Sequence, residues 1–105
     1  MIHNVAYFQL KPEVDAAMVE ELVRVSRSLL LKIPEILSVR SGRNLDRDSQ
    51  WPVFVAIEVE SLEKLRIVFD DPFHIKFIEK HVKPNIVNQF TLNFELDPSK
   101  NLKYS

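Results

Sequence analysis

Hydrophobic side chains alternate with polar ones near both ends of the chain, and between those stretches they recur at helical spacing. From Ile2 to Leu10, Ile2, Ala6, Phe8 and Leu10 share one parity, while His3, Val5, Tyr7 and Gln9 share the other. Period two in β-branched and aromatic residues predicts a strand, which Lys11-Pro12 ends because proline cannot donate to a ladder. Residues 15–32 switch to steps of three and four: Met18, Leu22, Val25, Leu29 and Ile33 make one apolar stripe, with Glu20, Arg24, Arg27 and Ser28 off it. Asp15 suits the N-cap, and Pro34 stops the helix because the residue before a proline avoids the α region.

Alternation returns over residues 36–43, where Gly42, the only glycine, predicts a bulge or a positive φ near a strand end. A polar turn, residues 44–50, leads to the strongest strand signal, residues 51–59, with Val53, Val55, Ile57 and Val59 on one face and Phe54 and Ala56 on the other. Ser61 opens a second helix with Leu62, Leu65 and Val68 inward. Asp71-Pro72 interrupts it and starts another, as an N-cap followed by a first-turn proline, carrying Phe73, Phe77, Ile78 and Val82 as far as Lys83-Pro84. Around residues 87–96, Phe90, Leu92, Phe94 and Leu96 alternate with Thr91, Asn93 and Glu95. The order is β-α-β-β-α-β, an α+β domain over residues 1–97 with a polar C-terminal tail over 98–105.

Two helices can cover one face of a four-stranded sheet, and in a monomer the other face should be polar. Here Val5 and Tyr7 stand opposite Phe8 and Leu10, and the third strand is apolar on both sides. The simplest cover for that second face is another copy of the same sheet, so a homodimer is expected, with His3 and Gln9 lining the enclosed space.

Composition then removes whole classes of function. The 14 basic and 15 acidic residues interleave to a net charge of −1, with no basic stripe for nucleic acid. Without cysteine there is no disulfide, thiolate nucleophile or thiolate metal site. No apolar run approaches the ~20 residues that span a bilayer, and Met1 to Val5 lacks a signal-peptide pattern, so a cytoplasmic protein with no membrane partner is expected.

Several segments together carry a family likeness: Ile2-His3-Asn4-Val5, Lys11-Pro12-Glu13, Ile33-Pro34, Gly42-Arg43-Asn44, and Asp71-Pro72-Phe73-His74 followed by Phe77, His81 and Lys83-Pro84. In order and spacing the chain resembles the stress-responsive A/B-barrel (Dabb) domain family from about Ile2 to Glu95. The resemblance implies a ferredoxin-like subunit with an antiparallel four-stranded sheet, and a homodimeric α+β barrel. Some plant members are polyketide cyclases that close a ring in the barrel cavity, with a first-strand histidine matched here by His3 and a helix histidine matched by His74. Two further polar positions of that site are Val53 and Val68 here, so the resemblance implies a largely apolar pocket with two imidazoles.

On that basis the expected ligand-binding residues are His3, Tyr7, Val53, Val55, Val68, His74 and Phe77, around a small apolar or aromatic molecule in a stress-associated protein. The alternative is a cofactor-free enzyme, a cyclase, isomerase or monooxygenase, with His3 and His74 as acid and base. In some relatives main-chain carbonyls hold magnesium; the matching positions are Leu30, Ile33 and Ile36, with no side-chain signal, and no other cofactor is expected. His74 and His81, seven apart on one helix, lie about 10 Å apart along its axis, too far to chelate one metal.

Overall fold

The computed structural model describes residues 1–97; the expected tail, residues 98–105, lies outside the described residues. Strand β1 is Ile2–Leu10, helix α1 Ala16–Leu30, β2 Ser38–Arg43, β3 Val53–Val59, helix α2 Leu62–Asp70, helix α3 Pro72–Phe77 and β4 Ile86–Glu95. A π-helical turn, Ile78–Val82, and a 3₁₀ turn, Lys83–Asn85, join α3 to β4. All strand pairs are antiparallel in the order β2-β3-β1-β4, the ferredoxin-like α+β arrangement.

Side chains start each helix. Asp15 Oδ1 accepts the Met18 N–H at 2.9 Å, Ser61 Oγ accepts from Lys64 at 3.2 Å and Asp71 Oδ1 accepts from Phe73 at 2.8 Å. Each cap satisfies a backbone donor that the helix itself leaves unpaired and is worth about 1 kcal/mol. Asp71 does two things at once. Its extended ψ of 137°, imposed by Pro72, ends α2, and its carboxylate begins α3.

Register sorts the sheet into two faces. Phe8, Ala6, Asn4 and Ile2 pair with Val53, Val55, Ile57 and Val59, so these share the helix-covered face. Phe8, the four β3 residues, and Leu22, Leu29, Leu65, Val68, Phe77 and Val82 make one buried cluster with Ile33. The opposite face carries Tyr7, Val5 and His3 opposite Phe90, Leu92 and Phe94, with Phe54 and Ala56 alongside. Val5 and Ala56 are buried yet stand outside the main cluster, as expected for residues beneath the uncovered face. Phe90, Leu92 and Phe94 remain 37%, 42% and 48% exposed.

Some local expectations change. The α1 stripe keeps Leu22, Val25, Leu29 and Ile33 buried, but its first member, Met18, is exposed, and Val19 and Ser26 are buried beside it. Ser26 is admitted because its hydroxyl donates to Ser41 Oγ at 2.8 Å, and Ser41 in turn donates to the Val23 carbonyl at 3.3 Å. Leu62 faces solvent, since the first residue of α2 lies beyond the core's edge. Gly42 has neither positive φ nor bulge; its pairing with Phe54 is regular, and the register shift falls instead at Gln9/Leu10. Among the described residues no helix is long and apolar enough to cross a membrane.

Val55 belongs to the helix-covered face and is 5% exposed. Val55→Asp should therefore unfold the subunit, by about 3 kcal/mol or more, because an unpaired carboxylate would enter the core. Thermal denaturation followed by circular dichroism checks this. An unchanged melting temperature would mean that the two faces are assigned the wrong way round.

Candidate functional site

A small cavity lies between the sheet and α3. Asn4, Ala6 and Phe8 of β1, Val55 and Ile57 of β3, Leu30 of α1, and His74, Phe77 and Ile78 line it. Its volume is about 40 Å³, enough for a water or two and far below the roughly 300–1,000 Å³ of sites for drug-sized ligands. A larger guest therefore requires α3 to move outward. That helix is a single short segment, entered through Pro72 and left through a π turn, a backbone form often found at functional sites.

The polar groups of the cavity are few. Asn4 is 6% exposed, and its amide donates to Asn93 Oδ1 at 2.6 Å across the β1–β4 pair. Asn4 is thus an amide beside an otherwise apolar wall, with a carbonyl oxygen that can accept hydrogen bonds. The His74 ring packs against Phe69 with centroids 5.2 Å apart. Burial lowers the His74 pKa, opposed by hydrogen bonding to the Phe69 backbone and by the Asp71 charge. Burial outweighs both, which favours a neutral imidazole.

Of the expected residues, the structure brings together Val55, His74 and Phe77. His3 is not with them. It lies one position from Asn4 on an alternating strand, shares the open face with Val5 and Tyr7, and sits opposite Glu58 and Phe94. A shared His3/His74 cavity is therefore corrected by strand geometry: neighbours on a strand point to opposite faces. The Nδ1 of His3, on that open side, is buried and has no hydrogen-bond partner among the described residues.

Tyr7 and Val53 border a different recess of about 480 Å³, beside Trp51, Phe54 and Phe90. There the Tyr7 and Phe90 rings stack at 4.8 Å and Trp51 meets Phe90 edge-on at 4.6 Å. Val68 is fully buried in the core and borders neither space.

The magnesium positions fare no better. The Leu30 and Ile33 carbonyls already accept backbone N–H groups from Ile33 and Ile36, at 3.1 and 3.2 Å, in consecutive tight turns. Among the described residues no group of three or more His, Asp or Glu side chains could hold an ion. A hard cation would find no charged oxygen ligand with Leu30, Ile33 and Ile36, so magnesium is not supported.

Asn4 is the site residue that sequence reasoning passed over. Its signal was available: it is the one amide in the parity of Ile2, Ala6 and Phe8, which otherwise faces the core.

This sheet order, with the cavity under α3, can be compared with known proteins. The Stress responsive A/B Barrel Domain matches residues 2–96. The chain belongs to that family. Among solved structures it is similar to a dimeric ferredoxin-like protein of unknown function from Thermobifida fusca, at 21% identity and a TM-score of 0.81, covering 90% of each chain. A Dabb family protein with a ferredoxin-like fold from Mesorhizobium loti is 14% identical, with a TM-score of 0.78 over 90% of this chain and 95% of that one. The hydroxynitrile lyase from Passiflora edulis is 16% identical, with a TM-score of 0.77 over 92% of this chain and 94% of the other. No curated protein sequence matches the chain. These likenesses establish the A/B-barrel subunit fold, and the structural neighbours include proteins described as dimeric.

The lowered His74 pKa gives a pH test. Its ordinary value is 6.5, and the folded value lies below it. In the window between the two, the unfolded chain binds more protons, so stability rises with pH: full above about 6.5, lost as pH falls through the folded value. Melting temperatures measured from pH 7.5 to 4.5 should fall across that window, and His74→Gln should flatten that part of the curve. An identical slope in wild type and variant would show that His74 does not titrate differently on folding.

Proposed function

We propose that the chain works as a homodimer, closed through the open face of its sheet, and binds a small apolar or aromatic molecule beneath α3. The observation that carries the binding reading is the cavity: apolar walls from Phe8, Val55, Ile57 and Phe77, with one imidazole and one amide as its polar groups. That chemistry suits a hydrophobic body bearing a single hydroxyl or carbonyl, oriented by His74 and Asn4. The guest would displace α3, and a stress-associated role fits a protein that takes up such molecules. His3 would face the second copy, which could supply a partner for its Nδ1.

The dimer reading rests on the open face, where Phe90, Leu92 and Phe94 line one strand beside Tyr7 and Phe54. A contiguous apolar surface of this kind marks an interaction site.

A cofactor-free enzyme is the second reading, favoured by the desolvated, neutral His74. An imidazole of that kind can take a proton from a substrate held beside it. The Passiflora edulis neighbour is named as a lyase and shares this fold. The acid/base pair expected from His3 and His74 reduces here to His74 alone, with Asn4 as the positioning group.

Sedimentation of the wild type at micromolar concentration should give a dimer, and Leu92→Glu, at an already half-exposed position, should give a folded monomer. A wild-type monomer would end the dimer reading. For the site, His74→Ala should weaken binding of a neutral probe such as 1-naphthol by about tenfold, the worth of one hydrogen bond. A loss of turnover of 10²–10⁴-fold on a substrate, with binding little changed, would instead make His74 the general base, by the usual magnitude of that role. Naphthol binding that ignores the substitution would exclude the cavity.

A further inference from the structure

A second recess lies away from His74, between α1 and the edge strand β2. Its volume is about 640 Å³, and Val23, Arg24, Arg27, Ser28, Leu31, Ser41 and Arg43 line it with Glu20 and Gly42. Ser41 and Arg43 pair with Val55 and Val53, so the recess is on the helix-covered side of the sheet, away from the open apolar face.

The basic groups here are not equivalent. Arg24 is bonded to Glu21, and Arg43 reaches Glu20 at 3.7 Å. Among the described residues Arg27 has no carboxylate partner. One of its terminal nitrogens donates to the Ser41 carbonyl at 3.1 Å, which fixes the guanidinium over the recess and leaves its other N–H groups unspent. The Ser41 hydroxyl is already occupied with Val23 and Ser26. The floor is thus satisfied, the walls at Val23 and Leu31 are apolar, and one oriented cation stands at the rim.

We propose that this groove binds a small amphipathic acid, its carboxylate held by Arg27 and its apolar tail laid along Val23 and Leu31. The volume lies within the range of small-molecule sites, and a planar guanidinium fork fits a carboxylate bidentately. An added β-strand is the less suitable guest, because Arg27 caps the Ser41 carbonyl and so blunts that part of the edge.

Gly42, the only glycine and part of the lining, gives a single amide signal in the glycine region of a ¹⁵N–¹H spectrum of the full chain. Octanoate should shift that signal saturably, and octanol should do so much more weakly. Arg27→Gln, at an exposed position, should weaken octanoate by about tenfold, the usual worth of a charge-assisted hydrogen bond. His74→Ala should leave octanoate binding unchanged, which separates this groove from the cavity under α3. An unsaturable shift, equal response to octanol, or equal affinity in Arg27→Gln would overturn the proposal. So would a Gly42 signal that moves with protein concentration and not with octanoate, since a second copy would then fill the groove.

Discussion

Everything in this subunit depends on the register of the inner β1–β3 pair. Seven consecutive pairs, from Ile2↔Val59 to Phe8↔Val53, lock two strands whose side chains alternate between a helix-covered face and an open one. A slip by one residue would send Val53, Val55 and Ile57 to the open side and bring Phe54 and Glu58 under the helices, which the buried carboxylate alone would make untenable. The same register decides the chemistry. It puts Asn4 beneath α3 and His3 on the far side, although the two are adjacent in sequence.

The helix layer divides the labour unevenly. Helix α1, capped by Asp15 and buried through Leu22, Leu29 and Leu30, is the long fixed support. Helices α2 and α3 meet at Asp71-Pro72, where one residue terminates and caps in turn. His74 is thereby placed on the shorter partner, within reach of Phe69 and over the cavity. The layer thus sets a titratable group on a short element above an apolar cavity, with the long, well-buried α1 as its fixed neighbour.

The sequence made the architecture legible because periodicity acts through the whole chain: strand parity and the three aspartate- or serine-led helix starts, at Asp15, Ser61 and Asp71, all appear in the structure where their physics requires. The site was less legible. Matching His3 to a family position overrode parity, which by itself separates His3 from the Phe8 face and points to Asn4. Tyr7 and Val53 belong to opposite faces of the sheet, yet both line the recess beside Trp51, and neither reaches the cavity with His74. Gly42 was given a backbone role; a β-carbon there would only touch the Phe54 ring at 3.4 Å, so its conformation gives no reason for glycine. None of the α1–β2 groove was visible beforehand, because a fixed guanidinium depends on a carbonyl fourteen residues away in sequence.

The π turn between α3 and β4 has a consequence for how this family member can change in length. Phe77 and Val82 are both buried, 2% and 0% exposed, though five positions apart. In an α-helix such residues point roughly 140° away from each other, so one would be turned out of the core. The wider turn over Ile78–Val82 accommodates the additional residue and keeps both inside. Removing one residue from this stretch would restore ordinary helical winding, and it would also rotate everything upstream, His74 included, relative to the anchored Val82. Insertions and deletions here are thus changes of aim for the imidazole, a route by which one scaffold could turn the same side chain toward a different part of the cavity.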